Sequence, residues 1–310
     1  MTTSLEWTPR IEVPRIAGDH DVQRYISDGF LAVPGLVGPE QLEELKADLV
    51  KVARGGYPSK TLEPAAAALS DADVLRRILC IHQPHHISPV MKRQATDPRI
   101  CGVLSQITGA HLPFWDGSVK CMQTMAFVKP PGFPGQAWHQ DEIYIPTRDR
   151  SLVGAWIALD DATIDNGCLW VIPQSHRPGY LYPQRKHDKH DEWDFALESH
   201  GFDTAGAVAV PVKAGTVVFF NGYLLHASYR NRTETYRRVL VSHYMNAYSL
   251  LPWRHPKGAT PTSQDDVRSI MPVAGVDPYA WKGIESGSEV YLREYAEIPA
   301  PPADRIDRRI

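Results

Sequence analysis

The apolar positions of this chain change their period near residue 110. Asp19 to Ser27 carries a helical pattern, and Asp28-Gly29 then turns into the extended stretch Phe30-Leu31-Ala32-Val33-Pro34. Gly38-Pro39-Glu40 opens a second predicted helix, with proline near the first position and an acid in the first turn. Leu42, Leu45, Leu49 and Val52 keep helical spacing, and Gly55-Gly56 stops it. A third helix is predicted from Pro98 towards Ile107, ended by Gly109. Beyond it, Val119 to Val128 reads extended, and Pro130 to Gly135 forms a loop. Short strand-like runs follow at Val153 to Leu159, Cys168 to Ile172, Ala207 to Val212, Thr216 to Phe220 and Arg238 to Met245. Asp165-Asn166-Gly167, Lys213-Ala214-Gly215 and Asn221-Gly222 supply the turns between them. Many short strands with polar turns predict a sandwich or jelly roll, not alternating βαβ units. From Leu251 onward the chain is rich in proline, glycine and charge. It reads as a wrapping tail with little regular structure, for which Tyr279, Trp281, Tyr291 and Tyr295 are candidate anchors. The expected organisation is one domain over 1–310: a helical part about 19–110, a core about 119–248, and a wrapping segment 251–310.

Composition narrows the function classes. At 43% hydrophobic and 22% charged residues, the chain has ample material for a core. A net charge of -3 argues against a nucleic-acid partner, which needs a concentrated basic face. The cysteines Cys80, Cys101, Cys121 and Cys168 are scattered, which fits buried free thiols in a reducing compartment. The first residues lack a signal-peptide pattern, no apolar run approaches the roughly 18 residues of a membrane span, and Asp307-Arg308-Arg309-Ile310 is no peroxisomal address. The expectation is a cytoplasmic protein that engages neither membrane nor nucleic acid.

The sharpest local signal is Trp138-His139-Gln140-Asp141. On a strand, residues two apart share a face, so His139 and Asp141 can converge on one ion. With a distant third histidine they would make a two-histidine, one-carboxylate triad, which leaves positions open on iron(II). The tripeptide alone is weak, because most such occurrences are structural. Of the dozen other histidines, His226 stands out by closing the run Val217 to His226. It is followed by Ala227-Ser228 and, eleven residues on, by Arg237 at the start of an apolar strand. An arginine pointing inward from a strand is costly unless it meets an anion, and its fork matches a carboxylate.

These elements together resemble the phytanoyl-CoA dioxygenase family. The resemblance rests on His139-Gln140-Asp141, Trp156-Ile-Ala-Leu-Asp-Asp161, Asn166-Gly-Cys-Leu-Trp-Val-Ile-Pro-Gln-Ser-His176, His226-Ala-Ser228 and Arg237. It runs from about Asp21 to about Tyr248, closest to the "domain-containing" branch over Gly154 to His176. Gln174 stands where the family usually has glycine. The resemblance implies a mainly β fold, a double-stranded β-helix (jelly roll, cupin-like) with N-terminal helices packed on it. It implies iron(II) on His139, Asp141 and His226, with 2-oxoglutarate as cosubstrate and dioxygen as oxidant. Arg237 and Ser228 would hold the distal carboxylate of 2-oxoglutarate. Trp156 would line the pocket, unless it is only a core aromatic. Gln136 and Gln123 are candidate contacts to cosubstrate or substrate. Asn166-Gly167 reads as a turn, Ser175-His176 as a capped loop, and His243 as an interior histidine rather than a fourth ligand. Halogenases of this class replace the carboxylate ligand by a small residue, so the retained Asp141 favours hydroxylation or a related desaturation or ring-forming oxidation.

Two rivals stay open at this level: a zinc hydrolase, since the same donors suit zinc, and a metal-binding scaffold that has lost turnover. The run Arg185 to Glu192 mixes both signs of charge, reading as a solvated loop or as a cover over the pocket. A free small molecule is favoured over a CoA thioester as substrate.

Overall fold

The computed structural model describes residues 9–250, 269–284 and 290–294. The helical part opens with α1 (Asp19–Asp28), which ends at Gly29, whose φ of 85° is the left-handed cap favoured by glycine. β1 (Phe30–Val33) follows, then α2 (Pro39–Ala53), with Pro39 in the first turn and Leu45, Leu49 and Val52 fully buried. Three short elements come next that the apolar pattern does not announce: α3 (Asp71–Arg76), β2 (Ile78–His82) and α4 (Pro89–Ala95). Local chemistry supports both helices, because the Ser70 and Ser88 hydroxyls accept from the backbone N–H three residues on. α5 (Pro98–Ile107) starts at an Asp97 cap, as its sequence predicts.

The rest is antiparallel sheet. In chain order come β3 (Val119–Lys129), β4 (Val153–Ala158), β5 (Leu169–Val171), β6 (Gln184–Arg185), β7 (Glu198–Ser199), β8 (Val208–Val210), β9 (Val217–Asn221), β10 (His226–Ser228), β11 (Arg237–Asn246), β12 (Met271–Ala274) and β13 (Tyr291–Glu294). The large sheet has the order β1-β9-β4-β11-β3-β2-β13, with β12 also paired to β3. Facing it is the small sheet β10-β5-β8, and β6 pairs with β7 alone.

The alternation of side chains makes two cores from one sheet. Ala155, Ile157, Phe219, Leu240 and Tyr244 point to the helices and join Leu45, Leu49 and Leu104. Trp156, Val218, Phe220, Val239 and Val241 point the other way and meet Leu169, Val171 and Val210 of the small sheet. The central strand β11 is therefore buried on both faces, apart from half-buried Arg238, which explains its unbroken apolar run. The layers are helices, large sheet and small sheet: the jelly roll with N-terminal helices that the sequence leads one to expect.

The tail departs from expectation, since β12 and β13 are regular strands. They form because β3 and β2 offer open backbone edges, so pairing, not local propensity, orders them. Of the expected anchors, Tyr291 stacks on His82, and the Tyr279 hydroxyl donates to the Tyr248 carbonyl at 3.1 Å. Trp281 is 76% exposed and anchors nothing by burial. Tyr295 and residues 251–268 lie outside the described residues. At Gln174 the backbone has φ 67°, which costs a non-glycine residue roughly 1–2 kcal/mol. That accounts physically for a glycine preference at this position. All four cysteines are buried and unpaired with one another. Among the described residues, no helix is long and apolar enough to cross a membrane.

Candidate active site

The HxD segment is not a regular strand. His139 forms an isolated antiparallel bridge with His226, and Asp141 opens a short 3-10 turn over Asp141–Ile143. Two backbone hydrogen bonds join the histidines, His139 N–H to His226 O at 3.0 Å and the reverse at 3.1 Å. Their rings lie 4.1 Å apart, centroid to centroid. The Nδ1 atom of His139 sits 2.7 Å from the Ala137 carbonyl, and that of His226 sits 2.9 Å from the Leu224 carbonyl. A carbonyl only accepts, so both Nδ1 atoms carry the proton and both Nε2 lone pairs are free. Those Nε2 atoms face Asp141 Oδ1 at 3.5 and 3.6 Å. His139, Asp141 and His226 are all buried, with ligand atoms within 4.8 Å of one another.

His243 completes the arrangement from β11. Its Nε2 donates to Asp141 Oδ2 at 2.9 Å, leaving Oδ1 for an ion. Burial alone would raise the Asp141 carboxyl. The imidazoles of His226 and His243, the His243 hydrogen bond and His139 outweigh burial and hold it well below the usual carboxylate range. Burial, then neighbouring His226, pulls His139 down to about 4, which keeps its imidazole neutral. Imidazole nitrogens beside a fixed anion suit a divalent ion of intermediate hardness.

A cavity of about 530 Å³ opens from this centre, within the usual size of small-molecule sites. One end is cationic. Arg237, 4% exposed, starts β11 directly across from Lys129 of β3. Its guanidinium lies 5.6 Å from the Trp156 ring, and its Nε is buried without a hydrogen-bond partner. Burial pulls Arg237 down to about 10. Burial first, then Arg237, pulls Lys129 well below its ordinary value. Two buried cations on facing strands call for an anion between them. The Ser228 hydroxyl accepts from Lys129 Nζ at 3.0 Å and from the Gln136 N–H at 3.2 Å, so its own proton is free to donate to a ligand. Gln136 thus reaches the site through its backbone N–H and is among the residues lining the cavity. Gln123 lines the cavity elsewhere, paired across strands with His243.

The remaining sequence candidates act as structure. The Asn166 side chain bonds Thr163 N–H and the Asp161 carbonyl, and Gly167 turns the chain with φ 82°. Ser175 accepts from the Leu225 N–H, one residue before His226, and His176 Nε2 donates to the Ile26 carbonyl. The run Arg185 to Glu192 is pinned by its charges. Arg185 pairs with Glu198, Arg232 with Glu192, and Arg230 with the carbonyls of Asp191 and Gly132. Its continuation, Asp194 to Leu197, lines the cavity. Sequence reasoning passed over Lys129, His82, Asp194 and Arg293, all of which border the cavity. Lys129 joins them through the pairing of β3 with β11, which sets it opposite Arg237.

A jelly roll with a buried two-histidine, one-carboxylate centre beside a cationic pocket defines a class of mononuclear metal oxygenase scaffolds. The sequence model of the phytanoyl-CoA dioxygenase (PhyH) family matches residues 25–239. The chain belongs to that family. It is 27% identical over 272 residues to phytanoyl-CoA dioxygenase domain-containing protein 1 of Danio rerio, covering 74% of this chain and 90% of that one. It is 32% identical over 168 residues to phytanoyl-CoA dioxygenase 1 of Oryza sativa subsp. japonica, covering 53% of this chain and 56% of that one. Among solved structures, the non-heme alpha ketoglutarate dependent carbocyclase SnoK from nogalamycin biosynthesis superposes with a TM-score of 0.60 at 20% identity, covering 86% of this chain and all (100%) of that one. EvdO2 from Micromonospora carbonacea var. aurantiaca, complexed with 2-oxoglutarate, gives 0.57 at 22% identity, covering 81% and 100%. At these identities the structural likeness establishes the fold. The donor set and the cationic end fit iron(II), 2-oxoglutarate and, as oxidant, dioxygen.

Proposed function

We propose that this chain is an iron(II)- and 2-oxoglutarate-dependent dioxygenase that oxidises an unactivated C–H bond of a free small molecule, by hydroxylation rather than halogenation. The observation that carries this is the pairing of two proton-fixed histidines, both facing Asp141 Oδ1, with the buried and partly unpartnered Arg237 in the same cavity. His139, Asp141 and His226 would hold the iron. Arg237 would take the distal carboxylate of 2-oxoglutarate through its fork, with Ser228 donating and Lys129 adding charge. When bound, iron with this cosubstrate supplies the reductive activation of dioxygen, with succinate and carbon dioxide as co-products. The protein's part is positional. His243 keeps the Asp141 carboxylate ionised and turned, while Trp156 and Phe220 wall the centre off from water. Retention of Asp141 leaves no ligand position for halide. A hydrolase would need a free general base, whereas Asp194, the other carboxylate bordering the cavity among the described residues, is held by Arg293 at 3.2 Å.

The test is anaerobic titration of the metal-stripped protein with iron(II) and 2-oxoglutarate, followed by visible absorption. The expected result is a weak charge-transfer band in wild type and none in His226→Ala. Iron binding with no band in wild type would overturn the reading.

A further inference from the structure

The other end of the cavity is built partly from chain outside the stretch that the family sequence model matches. β13 runs antiparallel to β2, with Tyr291 opposite His82, and places Tyr291 and Arg293 on the cavity wall. Tyr291 lies flat on His82, with centroids 4.2 Å apart and planes within 9°. The two rings form a planar face on which another ring can extend the stack. His82 is a neutral imidazole, because burial, then Arg293 and His243, pull it down to about 4. Its Nδ1 is buried without a hydrogen-bond partner. The segment after β6 joins from the side: Arg293 donates to Asp194 at 3.2 Å, and the next residues, Phe195 and Leu197, stay 41% and 40% exposed beside it.

The charges at this end cancel. Asp194, with its side chain only 6% exposed, neutralises Arg293, whose side chain is 38% exposed and has further N–H donors to offer. Nearby cations are engaged as well: Arg185 with Glu198, Arg232 with Glu192, and Lys189 over the Trp193 ring at 5.0 Å. Among the described residues, the other cations lining the cavity are Lys129 and Arg237 at its opposite end, so the phosphates of an acyl-CoA or the head of a free fatty acid find no unpaired lining cation here. A flat apolar body finds a ring wall and two exposed apolar side chains. A carbonyl oxygen finds the Arg293 N–H groups, and a hydroxyl finds the edge of the His82 imidazole that borders the cavity.

We propose that Tyr291, His82 and Arg293 recognise the substrate, and that it is a flat, uncharged ring molecule bearing a carbonyl oxygen and a neighbouring hydroxyl. This rests on the oxygenase reading and specifies its substrate class. The C-terminal strand thereby becomes a specificity element of the site.

The experiment uses 3-hydroxyflavone, a flat, uncharged fluorescent probe with that pair of oxygens, and the metal-stripped full chain. Saturable binding is expected in wild type. Tyr291→Ala and Arg293→Ala should each weaken it about tenfold, or roughly 1.4 kcal/mol. Tyr291→Phe, which keeps the ring, should bind as wild type does. Arg293→Gln, which keeps a donor for both Asp194 and the ligand, should lose less than Arg293→Ala. Palmitoyl-CoA should not displace the probe. Absence of saturable binding, equal affinity in the alanine variants, or displacement by palmitoyl-CoA would each overturn the proposal. The charge-transfer band is measured on the same wild-type preparation. Its absence sinks the oxygenase reading, whereas a band with the wrong probe result sinks only the substrate class.

Discussion

Arg237 offers a perturbation in which stability and function move in opposite directions. Its guanidinium is 4% exposed, faces a second buried cation in Lys129, and keeps an unpartnered Nε. Burial pulls its pKa down to about 10, which corresponds to roughly 3 kcal/mol spent on keeping the charge inside. At neutral pH the group is protonated in both folded and unfolded states, so that cost is fully present. Arg237→Met removes the charge, retains a long apolar stem against Trp156, and relieves Lys129. The metal-free variant should therefore be more stable than wild type in urea by about 1–3 kcal/mol. The same change removes the fork for the distal carboxylate, and truncating one side of a buried charge pair costs about 2–5 kcal/mol. The 2-oxoglutarate needed to develop the charge-transfer band should rise roughly a hundredfold, with Lys129 and Ser228 retaining the remainder. With iron and cosubstrate at about a hundred times the dissociation constant, wild type gains about 2.7 kcal/mol and closes most or all of the gap. A metal-free Arg237→Met protein that is less stable than wild type, or one that keeps wild-type cosubstrate affinity, would refute the account of this residue.

Three further outcomes are expected. His243→Ala frees the Asp141 carboxylate to rotate and should weaken iron binding by about 10- to 100-fold, measured by competition with a chelator; an unchanged affinity would deny His243 its positioning role. In Gly135→Ala the new Cβ would collide with the backbone carbonyl of Ser228, shifting β10, so both iron and cosubstrate affinities should fall, measured by the same titrations. His85 is buried, bonded to the Thr124 hydroxyl, and pulled down to about 3 by burial and then by His86 and Lys92. Its unfolded-state value is near 6.5, so the unfolded chain binds more protons below that pH, and stability falls with acidification by up to about 1.4 kcal/mol per pH unit. His85→Gln should flatten that slope between pH 6.5 and 4 in urea titrations, and parallel slopes would count against a neutral buried imidazole.

The legible parts of this fold are those that local chemistry decides. Pro39, Leu45, Leu49 and Val52 specify α2, and the apolar runs locate the buried strands β4, β9 and β11. β2, β12 and β13 escaped notice because a short strand of ordinary composition exists only when a neighbour offers an edge. His139, Asp141, His226 and Arg237 could be singled out because a candidate metal site and a buried charge call for particular residue types, and the fold brings all four to one cavity. Their local setting was read less well, since Asp141 lies in a 3-10 turn and not on a strand. Lys129, His82, Asp194 and Arg293 matter through register: each becomes a site residue only once β3 faces β11 and β13 reaches β2. Pairing partners far apart in sequence leave no trace in any single window.

The backbone bridge between His139 and His226 divides labour among the three donors in a way that bears on how such a site can change over evolutionary time. Two of them are placed by peptide groups, which any side chain would inherit, whereas Asp141 stands in a turn outside the ladder. Replacing the carboxylate would therefore leave the two imidazoles where they are and, on the proposed iron, would open a position to an anion from solution. The scaffold is conservative at two corners of its triangle and permissive at the third, so a lineage can alter its chemistry at that corner while the sheets around it stay the same.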